Sequence, residues 1–148
     1  MDFQKELSEI THRLDTTAIL PRHQASDLFR ASFAAAFPTM LQGKTYGQAS
    51  GGLTILNQSE EAFRAELRSI DNDLGRQIAI VNESLDNWFI KGDQPAPYYP
   101  WRIAVILGKA KRREEEAAFL AAWCRHFGKI VGGRYEKLAD RARKLGAL

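Results

Sequence analysis

The sequence predicts an all-α fold, with a helical core and helical extensions at both ends of the chain. Apolar side chains recur at steps of three and four residues in several separate segments, which is the spacing of one buried helix face. Proline and glycine stand between these segments, where helices are expected to end. With 148 residues, the chain is also long enough to bury a core without a disulfide or a metal.

Two helices are predicted at the start of the chain. The first covers residues 3–14, with four apolar side chains on one face: Phe3, Leu7, Ile10 and Leu14. The second covers residues 24–37, between Pro21 and Pro38. It carries this apolar set: Ala25, Leu28, Phe29, Phe33, Ala36 and Phe37. Because residues 34–36 are all alanine, another helix can approach this face closely, so it is expected to cover the core or form a dimer contact.

A linker and a third helix are predicted next. Residues 42–54 hold four glycines and little apolar content, which is typical of a linker. The helix that follows can be capped by Asn57 or Ser59, and Glu60 and Glu61 complement its dipole. Its predicted buried stripe is Ala62, Phe63, Leu67 and Ile70.

The C-terminal region predicts two more helices. One covers residues 112–127 and buries Phe119, Leu120, Trp123 and Phe127, with Gly128 at its end. A last, basic helix covers residues 134–145 and buries Tyr135, Leu138, Ala142 and Leu145. We therefore expect three segments, which are an N-terminal helical pair with its linker (1–58), a central domain (59–108) and a basic C-terminal extension (109–148).

Charge is distributed unevenly along these segments. Residues 1–58 are neutral, residues 59–108 have a net charge of −3, and residues 109–148 have a net charge of +6. An anionic partner such as nucleic acid would meet the C-terminal segment first. The alternative, equally open at this point, is a solvated helix face.

The central segment contains a motif in residues 74–88. Gly75 is a small residue where two helices can cross, and Ala79 suits a tight turn in which a bulky side chain would collide. Leu85 and Trp88 can anchor the second helix of the motif at a three-residue step. Pro95 follows seven residues after Trp88, and an apolar helix is predicted over residues 101–108.

Together, residues 60–108 resemble the Cro and lambda-repressor (XRE-type) helix-turn-helix family. The resemblance implies a transcriptional regulator that binds double-stranded DNA sequence-specifically, as a homodimer on a two-fold symmetric site. Asn82, Glu83, Ser84 and Asn87 would then read bases, while Arg76, Lys91 and the basic segment would hold phosphates. The full set of candidate DNA-contacting residues is Arg76, Gln77, Asn82, Glu83, Ser84, Asp86, Asn87, Lys91, Lys111, Arg112 and Arg113.

A second hypothesis follows from the acidity of the same face. Residues 82–87 carry Glu83 and Asp86 but no basic side chain, and Asp71 and Asp73 precede the motif. Acidic groups repel the duplex, because neutralised phosphates supply most of the affinity of such proteins for DNA. The alternative is therefore an adaptor that keeps the helix-turn-helix but contacts RNA polymerase, a sigma factor or another regulator.

No residue pattern indicates an enzyme, a metal site or a cofactor. Gly43-Lys44-Thr45 lacks the upstream glycine of a phosphate-binding loop, since Pro38 occupies that position. Cys124 is the only cysteine and is expected near the core, as are Trp88 and Trp101. Glu114-Glu115-Glu116 is expected to pair with the preceding basic residues. The lone cysteine and the absence of a long apolar run favour a cytoplasmic protein without a membrane segment.

Overall fold

The computed structural model describes residues 3–148, and within that range it contains eight α-helices and no strand. The α-helices are α1 (Gln4–Thr16), α2 (Arg22–Met40), α3 (Tyr46–Ser50), α4 (Glu60–Ser69), α5 (Leu74–Lys91), α6 (Tyr98–Lys109), α7 (Arg113–Phe127) and α8 (Gly133–Lys144), with a 3-10 helix at Thr54–Leu56. The all-α prediction is confirmed. No helix in the described range has both the length and the apolar composition that a membrane span needs.

The chain forms two compact units. The first comprises the chain through Ile19, Asn72–Ala79 and Ala96–Leu148, and the second comprises Leu20–Asp71 and Ile80–Pro95. Helix α5 contributes its beginning to the first unit and the remainder to the second. These units differ from the three consecutive segments (1–58, 59–108 and 109–148) that the sequence suggested.

The core of the first unit is built around α7, which packs against α1, α6 and α8. Most of the apolar side chains predicted for these helices are buried in it, whereas Phe3 and Leu145 are half-buried. The largest of the buried side chains are Trp123, Phe119 and Phe127. Cys124 is buried beside them, as predicted, and burial raises the pKa of its thiol. Helical spacing was therefore sufficient to identify this core.

A buried ion pair joins α7 to α8. Glu116 is 1% exposed and accepts a hydrogen bond from the guanidinium of Arg141, which also lies 5.7 Å from the centre of the Trp101 ring. A side chain at Gly108 would displace that guanidinium. The predicted pairing of the glutamates with the preceding basic residues is right for Glu115, 2.5 Å from Arg112, and wrong for Glu116. Glu116 is buried, and its partner Arg141 comes from α8.

In the second unit, α3 replaces most of the predicted linker. Thr45 caps this helix, since its hydroxyl accepts from the backbone N–H of Gln48 while the Gln48 side chain accepts from Thr45 N. These reciprocal bonds satisfy backbone groups that the glycine-rich composition had suggested were solvated. A short capped helix therefore lies within residues 42–54, the segment that the sequence suggested as a linker.

Helix α4 begins as predicted, because the Ser59 hydroxyl accepts from Ala62 N at 3.2 Å. Its predicted buried stripe is only partly present. Ile70, just after the helix, is buried, whereas Phe63 and Leu67 are half-buried and Ala62 is exposed. The helix packs against the short 3-10 helix, which is too small to cover the whole stripe.

The turn predicted inside residues 74–88 is absent, because α5 runs without interruption from Leu74 to Lys91. Ala79, expected in the turn, lies inside this helix and is exposed. Alanine has the highest helix propensity, and no glycine or proline follows Gly75 before the end of α5 to interrupt the helix. Gly75 does permit a close approach, but the neighbour is Phe3, whose Cε1 would lie 2.5 Å from an added Cβ.

Candidate functional site

Two of the predicted DNA-contacting residues are buried in α5. Gln77 and Ser84 are buried, and the Ser84 hydroxyl donates to the Ile80 carbonyl at 2.7 Å. The prediction that Ser84 and Gln77 face DNA is therefore wrong. Leu85 is buried as predicted. Because α5 continues without a turn, Ser84 also lies on the buried side of this helix.

Other predicted residues of α5 hold the second unit together. Glu83 accepts from the backbone N–H of Thr54 at 2.6 Å and from its hydroxyl at 3.0 Å. Lys91, expected on a phosphate, donates to the carbonyl of Ser50 at the end of α3. Asn82 and Asn87 are half-buried, and of residues 82–87 only Asp86 is exposed. This stretch of α5 therefore offers no continuous polar surface.

The remaining predicted residues lie in the first unit. Arg76 is exposed in the first turn of α5, where its backbone N–H donates to the Asp73 carboxylate at 3.1 Å. Lys111 is exposed in the connection between α6 and α7, Arg113 is exposed at the start of α7, and Arg112 between them pairs with Glu115. The structure thus divides the predicted set between the two units.

The second unit exposes a row of large apolar side chains along α2. The row, called here the aromatic row, consists of Phe29, Phe33, Phe37 and Leu41, which are 41%, 38%, 47% and 72% exposed. Their four-residue spacing places them on one side of the helix. The ring centre of Phe33 lies 6.3 Å from that of Phe29 and 6.1 Å from that of Phe37, so the three rings form a continuous surface.

Tyr46 supports one flank of the aromatic row. Its ring lies 5.4 Å from Phe29 and 5.9 Å from Phe33. The Tyr46 hydroxyl bonds to the hydroxyl of Ser32 at 2.7 Å and donates to the Asp93 carboxylate at 3.1 Å. Burial raises the pKa of Tyr46 and also that of Asp93. Tyr46 therefore ties α3, α2 and the segment after α5 together beneath the row.

A cleft adjoins the start of the aromatic row. We call it the arginine cleft; it has a volume of about 380 Å³ and is lined by Arg22, Ala25, Ser26, Phe29, Arg30, Trp88, Gly92 and Gln94. Phe29 and Trp88 are the aromatic residues of this lining. Arg22, Ser26 and Arg30 follow one another at four-residue steps, so they form a polar stripe beside the aromatic row. Phe29 belongs to both features.

The sequence predicted that the phenylalanines of α2 cover the core or form a dimer contact. The buried residues of this helix are instead the small ones, Ala25 and Ala36. An added Cβ at Gly92 would collide with the Ala25 carbonyl, so the two backbones approach closely at this point. The one available sequence signal was the absence of any charge from residue 31 to residue 43, next to small residues that could form the buried face instead.

The two units differ in charge. The residues of the first unit include 15 basic and ten acidic side chains, whereas those of the second include six basic and eight acidic ones. The net charges are therefore +5 and −2. Within residues 3–148, no group of three or more histidine, cysteine, aspartate or glutamate side chains is placed to hold a metal ion.

Comparisons of the chain with protein-family models, with curated proteins and with solved structures gave no match.

Proposed function

We propose that this protein is an interaction module that binds the apolar face of an amphipathic helix from a partner protein along the aromatic row. The proposal develops the adaptor hypothesis, with α2 in place of the acidic face of α5 as the binding surface. One observation carries it, namely the four large apolar side chains that α2 exposes at four-residue spacing.

The row has the dimensions and chemistry of a helix-docking surface. From Phe29 to Leu41 it extends about 18 Å, or three helical turns, at a rise of about 1.5 Å per residue. Continuous exposed apolar surface is uncommon on monomers and marks interaction sites. Amphipathic helices use side chains at steps of three, four and seven residues to bind such surfaces. No charged residue interrupts the row, because α2 has none after Arg30.

Selection from a displayed library of random 16-residue peptides tests the proposal. The intact chain should enrich peptides whose apolar residues repeat at three- and four-residue steps, and a Phe33→Ser/Phe37→Ser variant should not bind them. A Val131→Ser/Leu148→Ser variant, which removes two exposed apolar side chains of the first unit, is the matched control and should bind them normally. Circular dichroism of each variant checks that the helices remain.

Two outcomes of the peptide selection would contradict the proposal. If no such peptides are enriched, or if they bind the phenylalanine variant as well as the intact chain, the row is not the binding surface. Sedimentation of the intact chain addresses the homodimer suggested by the alanine-rich segment. A dimer that Phe33→Ser/Phe37→Ser converts to a monomer would mean that the row binds a second copy and not a partner protein.

Binding of double-stranded DNA, the regulator function that the resemblance implies, is the second candidate. The observation that favours it is the net charge of +5 on the first unit. Lys109, Lys111 and Arg113 are exposed between α6 and α7. The Arg141 guanidinium of α8 lies against Gly108 near the end of α6, and Lys144 is exposed in the last turn of α8. Such a cluster would bind phosphates without reading bases.

Titration of fluorescent duplexes at two salt concentrations tests the second candidate. Neutralising Lys109, Lys111 and Arg113 with glutamine should weaken binding to every sequence alike. It should also reduce the slope of log K against log salt by about three, or about one per lost phosphate contact. The matched control neutralises Lys44, Arg64 and Arg68 in the second unit and should leave the slope unchanged. If no duplex binds at low salt, DNA binding is excluded and the interaction module remains.

A further inference from the structure

We propose that the arginine cleft is a carboxylate-binding subsite, which receives an aspartate or glutamate side chain at one end of the helix docked on the aromatic row. This inference rests on the proposed function of the row and adds the chemistry of the partner. Phe29 forms part of both surfaces, so a helix lying along the row brings its end residue to the cleft.

The cleft offers hydrogen-bond donors that the protein itself leaves unused. The side chains of Arg22, Ser26 and Gln94 form no hydrogen bond or ion pair with any residue in the range 3–148. Arg30 has an ion pair with Asp27, but the two atoms are 3.8 Å apart and both side chains are more than two-thirds exposed, at 79% and 71%. An exposed pair of this kind contributes little and is readily exchanged for a better partner.

A carboxylate is the group that these donors fit. Its two oxygens accept about four hydrogen bonds, and guanidinium groups bind them in a bidentate geometry. Ser26 lies between the two arginines on the same stripe of α2, so its hydroxyl and one or both guanidiniums can bond to a single anion. Phe29 and Trp88 also line the cleft, and apolar side chains beside a charge-assisted hydrogen bond strengthen it by lowering the local dielectric.

The surroundings favour a single carboxylate over a polyanion. The second unit has a net charge of −2. In the sequence, Asp27 follows Ser26 of the cleft, and Asp93 stands between Gly92 and Gln94 of its lining. A nucleic acid carries a charge at every residue and would be repelled by this unit as a whole, because long-range repulsion adds over all of its phosphates. One carboxylate is neutralised locally by the two arginines.

The geometry also predicts where the acidic residue stands in the partner. Arg30 and Leu41 are eleven positions apart on the α2 side, or about 17 Å at 1.5 Å per residue. The partner helix should therefore carry its aspartate or glutamate within one turn of one end of an apolar stripe about three turns long. An acidic residue in the middle of the stripe would lie on the uncharged part of α2.

The test compares peptides selected from the displayed 16-residue library by the intact chain and by an Arg22→Gln/Arg30→Gln variant. Both should enrich the apolar stripe, and the intact chain alone should also enrich an acidic residue at one end. A selected peptide is then synthesised with blocked ends, and its affinity is measured by fluorescence anisotropy. Replacing its acidic residue by the amide should weaken binding to the intact chain about tenfold, as expected for a charge-assisted pair, and binding to the variant less than twofold.

An Arg64→Gln/Arg68→Gln variant, with the same loss of charge on α4, is the matched control and should behave like the intact chain. The subsite is refuted if selected peptides have the apolar stripe without an acidic end, or if the amide peptide loses the same affinity on the cleft variant. It is also refuted if the cleft variant loses binding of a thymidine oligonucleotide that the intact chain binds. Absence of the apolar stripe itself would refute the proposed function of the row, which is a separate result.

Discussion

Replacing Gly92 by alanine should destabilise the second unit much more than the same change at a glycine with free space around it. Gly92 follows α5 with φ +70, and an added Cβ would collide with the Ala25 carbonyl oxygen while lying 3.0 Å from the Ala25 carbonyl carbon and the Phe29 nitrogen. All of these atoms belong to backbone, which cannot rotate away as a side chain can. The substitution must therefore move α2.

The magnitude has two contributions. A left-handed backbone conformation costs a residue with a Cβ about 1 to 2 kcal/mol. Inserting a methyl group into a close-packed contact costs about 1 to 3 kcal/mol more. Gly43 supplies the matched control, because its φ is +93 and an added Cβ would meet nothing within 4 Å. Gly43→Ala should show only the backbone cost, so the difference between the two variants measures the helix contact.

Urea unfolding followed by circular dichroism gives the free energy of unfolding of each variant. We expect Gly92→Ala to lose about 2 to 5 kcal/mol and Gly43→Ala about 1 to 2 kcal/mol, from a total that is about 5 to 15 kcal/mol for a typical domain. Gly92→Ala should also weaken binding at the arginine cleft, since Phe29 moves with α2. Equal losses for the two variants would show that α2 does not approach Gly92, and the placement of the cleft would then be wrong.

Three further predictions concern polar contacts. Glu116→Ala should lower the free energy of unfolding by about 1 to 3 kcal/mol, because it leaves the half-buried Arg141 guanidinium without its partner. The double change Glu116→Leu/Arg141→Met should lose less than the single change, and a larger loss in the double variant would contradict this. Tyr46→Phe should cost about 1 to 2 kcal/mol in urea unfolding through the lost bonds to Ser32 and Asp93, and no change would mean that the hydroxyl is solvated instead. Burial lowers the pKa of His126, whose Nε2 lies 2.7 Å from the Leu14 carbonyl oxygen and donates to it. Its contribution to stability is therefore complete above the unfolded value of 6.5 and decreases as the pH falls through the folded pKa. Unfolding measured from pH 8 to about pH 5 should show this loss, and a His126→Gln variant that retains the full slope would contradict it.

The sequence by itself determined the all-α class and most of the helix positions. Apolar spacing identified the buried faces of α1, α7 and α8, and of the two caps suggested for α4, Asn57 and Ser59, it is Ser59 that caps the helix. These features depend on interactions between residues close together in the chain, or on a period that any core would require. Leu85 was correctly placed in the core for the same reason.

Tertiary structure decided which of two possible helix faces is buried. Helix α2 has a face of small residues and a face of large ones, and apolar spacing alone does not choose between them. The small face is buried because Gly92 lets the backbone approach Ala25, and this leaves the phenylalanines of the aromatic row exposed. The glycine and the alanine are 67 positions apart, so only the folded chain could show their contact.

The same distinction explains the candidate site in α5. Residues around Ala79 suit either a turn or a helix, and the choice depends on what packs on both sides. In the folded chain the helix continues, Ser84 turns to the buried side, and Glu83 and Lys91 bind Thr54 and Ser50. The sequence shows that Glu83 and Lys91 are polar. Only the packing of distant segments shows that their side chains hold the second unit together.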